Sequence, residues 1–141
     1  MIDYAPFIGL AFVVGRILYG GYFVYAGVRH FKSLDMMAGY AGSRGVPYPK
    51  YAVAVSGLMI ILGGLGILFG VYTEYALLLI ILFLIPVTLM MHNFWIDTDP
   101  NTRMGNKINF EKNAALLGAA LMLSAMPAPW ILPLYSQWSV F

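Results

Sequence analysis

Four long apolar stretches divide the chain, and short polar segments separate them. The stretches cover residues 7–28, 51–71, 75–94 and 110–127. Each is near the roughly 20 residues that a helix needs to cross the hydrocarbon core of a bilayer. None shows the alternation of polar and apolar residues that a strand of a membrane barrel requires. The pattern therefore predicts an all-α protein, a transmembrane four-helix bundle in a single domain over residues 1–141.

The basic residues fall on one side of this arrangement. With four crossings, the polar segments 29–50 and 95–112 lie at the same face of the membrane, and both termini lie at the other. Seven Lys and Arg residues belong to these two segments: Arg29, Lys32, Arg44, Lys50, Arg103, Lys107 and Lys112. Because cytoplasmic loops are enriched in Lys and Arg, we expect both termini to face outward.

The composition agrees with a multi-pass membrane protein. Hydrophobic residues make up 61% of the chain and charged residues 10%, against roughly 25% charged in soluble domains. The net charge of +2 comes from basic residues spread over separate loops, so nucleic acid is not an expected partner. The chain has no cysteine, which excludes disulfides and thiolate sites. The expected partners are the lipid bilayer and either other membrane subunits or further copies of the chain.

The segment 128–141 is uncharged and rich in aromatic side chains. It includes Trp130, Tyr135, Trp138 and Phe141. The segment is too short and too interrupted by proline to cross the membrane. We therefore expect an aromatic tail at the lipid interface.

One arginine lies inside the first apolar stretch. Helical spacing puts it on one face with several other residues, and that face is expected to lie inside the bundle because a charge near the bilayer centre costs about 2.5–3.5 kcal/mol. The residues of this face are Arg16, Tyr19, Gly20, Phe23, Gly27 and His30. The interpretation stays open between a structural role, in which Arg16 pairs with Glu74 or with backbone carbonyls, and a ligand site.

A second set of polar and aromatic residues gathers at the predicted inner side. It comprises His30, His92, Asn93, Trp95, Lys112 and Asn113. Two histidines do not make a metal-ligand pattern, and we expect no metal site. Lipid contact at the interface accounts for the aromatic and basic members, and a pocket for a quinone-like head group is the functional alternative. Histidine suits proton exchange in such a pocket because the imidazole pKa lies near neutrality.

Several short motifs together resemble the DoxX family of small four-helix membrane proteins. They are GRILYGGYFVYAGVRHF at 15–31, GVP at 45–47, the paired glycines and LFG within 63–70, HNFW at 92–95 and INFEKN at 108–113. The resemblance implies a multi-pass protein in the plasma membrane of a bacterium or archaeon. It also implies a link to redox biochemistry, because relatives are tied to thiosulfate oxidation with quinone, to oxidative stress and to membrane-associated redox complexes.

The resemblance also assigns individual residues. The family positions map onto Arg16, His92, Trp95, Lys112 and Asn113. Many relatives carry a glutamate in the second helix, where this chain has Met59 or Ile60. Any proton transfer that uses this carboxylate in relatives is therefore not available to this chain.

Two functions follow from these residues and the resemblance. The first is a redox-linked membrane subunit that binds quinone or another lipophilic carrier, with a soluble redox partner. Its expected ligand-binding residues are Arg16, Tyr19, His30, His92, Asn93, Trp95, Lys112 and Asn113. The second is a non-catalytic structural or assembly subunit of a larger membrane complex. No haem, flavin, iron–sulfur or thiol pattern identifies a resident cofactor, so quinone is the one candidate and catalysis stays an open question.

Overall fold

The computed structural model describes residues 5–127 and Trp130. In this part of the chain the protein is all helical, with five α-helices and no strand. The helices are α1 (Ala5–Lys32), α2 (Leu34–Ser43), α3 (Pro49–Phe69), α4 (Thr73–Pro86) and α5 (Pro100–Ser124). A π-helical turn (Val87–Met91) continues α4, and a 3₁₀ turn (Phe94–Ile96) follows it.

Three helical segments of the described chain are long and apolar enough to cross a membrane. They are Phe7–Lys32, Pro49–Phe69 and Thr73–Ile96, and they overlap the first three predicted crossings. The fourth predicted crossing, 110–127, overlaps α5, which is not among the three. That helix starts earlier than its apolar part because Asp99 caps it, with Oδ2 accepting a hydrogen bond from Thr102 N at 2.7 Å.

The segment 29–50, which we expected to be a loop, contains the helix α2. Its sequence is rich in Leu, Met and Ala, which favour helix. Ala38 and Ala41, three residues apart, are buried on the same face. The helix contacts mainly α3 and, to a smaller extent, α1.

The helices α1 and α3 pack closely through four glycines. A Cβ atom at Gly20 would lie 2.7 Å from the carbonyl oxygen of Gly64, and one at Gly27 would lie 2.7 Å from that of Gly57. The two glycines of each helix are seven residues apart, which keeps both on the packed face. Small residues of this kind let two backbones approach each other in a membrane.

The core lies where α1, α3, α4 and α5 meet. Its largest fully buried side chains are Phe23, Ile60, Ile67, Ile80 and Leu84. Many other apolar side chains face outward, and Leu18, for example, is 69% exposed. An apolar outer surface of this extent suits contact with lipid chains rather than water.

Candidate functional site

Arg16 is buried, and its guanidinium donates hydrogen bonds to three backbone carbonyls. Nε donates to Ile67 O at 3.0 Å, Nη2 to Leu68 O at 3.0 Å and Nη1 to Trp130 O at 2.8 Å. Of the two structural contacts expected for Arg16, the structure shows the carbonyl contact. The expected ion pair between Arg16 and Glu74 is not formed, because Glu74 is exposed and makes no ion pair in the described part of the chain.

The carbonyl contacts have a physical reason in the end of α3. Ile67 and Leu68 belong to its last turn, where carbonyl groups lack the usual N–H partner four residues later. Ile67 O also accepts a hydrogen bond from Gly70 N at 3.2 Å. A cation is also favoured at a helix C-terminus by the helix dipole. The turn that follows is tight, since Gly70 has a φ of 71° and a Cβ atom there would lie against Arg16 Nη2. Arg16 therefore caps α3.

Trp130 completes the cap from the C-terminal side. It is 6% exposed and packs edge-on against Phe12, with ring centroids 5.3 Å apart. This residue therefore lies in the protein interior and not at the lipid interface that we predicted for it. The other residues of the predicted tail, 128–141, lie outside the described part of the chain.

A cavity of about 700 Å³ lies at the other end of α1, among α1, α2, α3, the end of α4, the π-helical turn and α5. Most of its wall is apolar. Five methionines contribute to it: Met36, Met37, Met59, Met90 and Met91. Because methionine is flexible and polarizable, such a wall can adapt to the shape of an apolar ligand.

Half of the expected ligand-binding residues line this cavity. They are His30, His92, Lys112 and Asn113. His30 comes from the end of α1, His92 follows the π-helical turn, and the other two come from α5. Three segments that are distant in sequence thus each supply polar residues to one cavity.

Tyr19 and Arg16 do not contribute to it. The hydroxyl of Tyr19 donates a hydrogen bond to Leu116 O at 2.7 Å and so joins α1 to α5. Arg16 precedes His30 by fourteen residues, which corresponds to about 21 Å along a helix. A single site that uses both Arg16 and the histidines is therefore not formed.

Asn93 and Trp95 lie beside the cavity and do not line it. The Asn93 side-chain oxygen accepts a hydrogen bond from Arg44 Nη1 at 3.0 Å. Trp95 is 52% exposed and packs edge-on against Phe94 and Phe110. These contacts give both residues a structural role in the turn between the π-helical turn and α5.

The two cavity histidines are both held through Nδ1. His30 Nδ1 lies 2.8 Å from Ala26 O, and His92 Nδ1 lies 3.2 Å from Asn106 Oδ1. The ring of His30 also packs edge-on against Phe83, with centroids 5.9 Å apart. Within the described residues, no three His, Asp or Glu side chains lie close enough together to hold a metal ion.

Asn113 is the most deeply buried polar residue of the cavity, with 6% of its surface exposed. Its side-chain amide makes no hydrogen bond with a described residue, and it is not fully enclosed by protein atoms. The amide therefore opens into the cavity. A buried amide without a partner costs about 1–3 kcal/mol, which a bound ligand or water molecule would offset.

A buried ion pair next to the cavity was not expected from the sequence. Arg44 Nη2 lies 2.8 Å from Asp97 Oδ1, and both side chains are 8% exposed. Asn106 Nδ2 donates to Asp97 Oδ2 at 2.8 Å. The hydroxyl of Tyr40 accepts from Arg44 Nε and lies 3.1 Å from Asn106 Oδ1. The network ends at His92, because His92 Nδ1 and the Tyr40 hydroxyl both contact Asn106 Oδ1.

This network also sets charge states outside the membrane-spanning segments. The hydrogen bond from Asn106 lowers the pKa of Asp97, and Arg44 adds to the effect against the opposing influence of burial. Burial by itself lowers the pKa of Arg44, but the hydrogen bonds with Tyr40 and Asp97 outweigh it and raise that pKa. Both members of the pair are therefore charged at neutral pH.

The π-helical turn gives His92 its place beside this network. Pro86 has no N–H group and so interrupts the helical hydrogen bonds of α4. The hydroxyl of Thr88 donates to Leu84 O and satisfies one of the carbonyls nearby. The chain continues with the wider π geometry, which occurs often at functional sites. Proline was visible in the sequence, but the π geometry that follows it was not.

Comparison with known proteins agrees with a membrane location. Residues 11–93, more than half of the chain, match the DoxX family. The chain is 27% identical over 112 residues to the inner membrane protein YphA of Escherichia coli (strain K12), covering 79% of each chain. No solved structure matches it.

Proposed function

The chain belongs to the DoxX family of membrane proteins, and from this we propose that it is a plasma-membrane subunit that binds a quinone or a similar lipophilic carrier. The bound molecule would place its polar head group against His30, His92 and Asn113, and its apolar part along the methionine wall. The inner-membrane name of the relative supports the location.

The open amide of Asn113 carries this proposal. A polar group that is 6% exposed and has no partner among the described residues is suited to take one from a bound molecule. Ligand sites typically combine an apolar wall with a few convergent polar groups in a volume of about 300–1,000 Å³. The cavity of about 700 Å³ meets both conditions.

We also propose that α5 makes the fourth crossing and that both termini face outward. Its first half carries Arg103, Lys107 and Lys112, whereas residues 113–124 are uncharged. Tyr19 ties this apolar half to α1, and Ala120 belongs to the core. Single cysteines at Lys107 and Ser124 should label from opposite sides in intact cells or spheroplasts. Labelling of Lys107→Cys from outside would contradict the orientation.

Binding of a short-chain quinone to the purified protein in lipid nanodiscs tests the function. We expect saturable binding of decylubiquinone, at one site per chain, that weakens about tenfold or more in Asn113→Leu, which matches the size of asparagine and removes its amide. Lys107→Gln is the control, because Lys107 is an exposed residue of α5 that does not line the cavity.

The assembly-subunit alternative predicts a different result. The protein, extracted gently from its membrane, would then carry a stoichiometric polypeptide and no quinone, and decylubiquinone would not bind the purified chain. The redox-linked function predicts instead that the protein copurifies with bound quinone, together with its soluble redox partner. Equal quinone affinity in wild type, Asn113→Leu and Lys107→Gln would also contradict the proposed site.

A further inference from the structure

The two cavity histidines present the same kind of hydrogen-bonding atom to a ligand. The oxygen of Ala26 can only accept a hydrogen bond, so His30 Nδ1, which lies 2.8 Å from it, carries the proton. In a neutral imidazole the other nitrogen then has no proton and is an acceptor. For His30 this atom is Nε2.

His92 reaches the same state through the buried network. The carboxylate of Asp97 is held by Arg44 and accepts only, so the Asn106 amide must turn its nitrogen toward it. The oxygen of Asn106 is thereby turned toward His92 Nδ1, 3.2 Å away. Since this oxygen also accepts only, His92 carries its proton on Nδ1 as well.

Both Nε2 atoms remain available to a ligand. Neither makes a hydrogen bond with a described residue. Neither is fully enclosed by protein, because in the described part of the chain the one fully enclosed side-chain nitrogen or oxygen without a partner is Trp130 Nε1. Both histidines line the cavity. The cavity therefore offers two bare acceptor nitrogens, beside the Asn113 amide, which can both donate and accept.

From this pattern we infer that the cavity selects a ligand with a hydroxyl group, which is the reduced quinol or another phenol, over the oxidised quinone. The inference rests on the proposed function of this same cavity. A phenolic hydroxyl donates to Nε2 and still accepts a hydrogen bond from Asn113 or Lys112. A quinone carbonyl can only accept, so its lone pairs would face those of Nε2 and the desolvated nitrogen would have no partner.

The experiment compares two matched ligand pairs in nanodiscs at pH about 8, well above the ordinary histidine pKa of about 6.5. The first pair is decylubiquinol and decylubiquinone under anaerobic conditions. The second is 4-decylphenol and 4-decylanisole, which are both stable in air. In 4-decylanisole a methyl group replaces the hydroxyl hydrogen, so this ligand cannot donate a hydrogen bond. We expect the hydroxyl member of each pair to bind the wild-type protein about tenfold more tightly, the order of magnitude for one hydrogen bond.

The variant His92→Gln tests the origin of the preference. Glutamine is polar and of similar length, and its amide can donate as well as accept. The preference for the hydroxyl member should therefore fall several-fold, with the affinity for 4-decylanisole retained or increased. Lys107→Gln should keep the wild-type preference.

The possible failures are distinguishable. Equal affinity for both members of each pair, or tighter binding of decylubiquinone and 4-decylanisole, would overturn this inference and leave the proposed function intact. A preference that is unchanged in both His92→Gln and His30→Gln would also overturn it. If none of the four ligands binds, both the inference and the proposed function are wrong.

Discussion

The side chains of Arg16 and Arg44 are both largely shielded from solvent, but their partners are of different kinds. Within the described residues, Arg16 donates to backbone carbonyls alone, two of them in the last turn of α3. Arg44 contacts side chains, among them Asp97 and Tyr40. A backbone carbonyl is supplied by any residue, so Arg16 depends on where the helix ends. Arg44 depends on the identity of each partner.

The difference separates support of the fold from support of the site. Arg16 donates to carbonyls at the end of α3, and its loss would weaken the end of a membrane-spanning helix. Arg44 holds Asp97, which orients Asn106, which holds His92 beside the cavity. We therefore expect Arg16 to act on stability alone, and Arg44 to act both on stability and on how the cavity histidine is presented.

The largest effect is expected for Arg16→Met, which fills a similar volume without a donor. Three carbonyls would lose charged hydrogen-bond donors, and we expect the free energy of unfolding to fall by about 2–4 kcal/mol. Equilibrium unfolding in mixed detergent micelles measures this change. Arg29→Met is the matched control, because Arg29 is on the same helix and is exposed.

This prediction also tests the division between the two arginines. Folded Arg16→Met protein should bind decylubiquinone with wild-type affinity, since the cap and the cavity are separated along α1. A variant of wild-type stability with much weaker binding would show that Arg16 belongs to the ligand site.

A smaller effect is expected from titration of the Arg44 pair. The pKa of Asp97 is lowered in the folded protein, whereas an aspartate in an unfolded chain has a pKa of about 3.9. The ion pair therefore stabilises the fold above pH about 4, and this contribution is lost as the pH falls through the lower, folded pKa. The unfolding midpoints of wild type and Asp97→Asn should differ at pH 7, and the difference should shrink as the pH is lowered below about 4.

Asp35→Asn is the control for this measurement, since Asp35 is an exposed acid in another ion pair. Its unfolding midpoint should follow that of the wild type at every pH. A constant difference between wild type and Asp97→Asn from pH 7 to pH 3 would contradict the role of the Asp97 charge.

Arg16 could be recognised in the sequence, and Arg44 could not. A charge inside an apolar stretch is a local signal, and its cost in a membrane requires that it be buried. Arg44 lies in a polar segment with other basic residues, where exposure to lipid head groups is the ordinary expectation. Its partner Asp97 is 53 positions further along the chain, and no periodicity connects the two.

The same reasoning applies to the helices and the cavity. Hydrophobic length identified the first three crossings, because a bilayer imposes that length on each one. The helix α2 was missed because a short amphipathic helix leaves only a weak pattern, such as the spacing of Ala38 and Ala41. His30, His92 and Asn113 were expected as one group from their shared depth. Asn93 and Trp95 were expected in the same group but do not line the cavity. This difference depends on side-chain directions, which the sequence does not contain.

The smallest effect is expected for Lys50→Ala, which removes an ion pair as short as that of Arg44. Lys50 Nζ lies 2.8 Å from Asp35 Oδ1, but the two side chains are 64% and 85% exposed. Solvent screens such a pair, and ordering two long side chains offsets its attraction. The unfolding midpoint of Lys50→Ala should therefore equal that of the wild type within error, whereas Arg44→Ala, which leaves Asp97 buried without its cation, should lower it clearly. Equal losses in the two variants would mean that pairing distance, and not burial, decides what an arginine or lysine contributes to this fold.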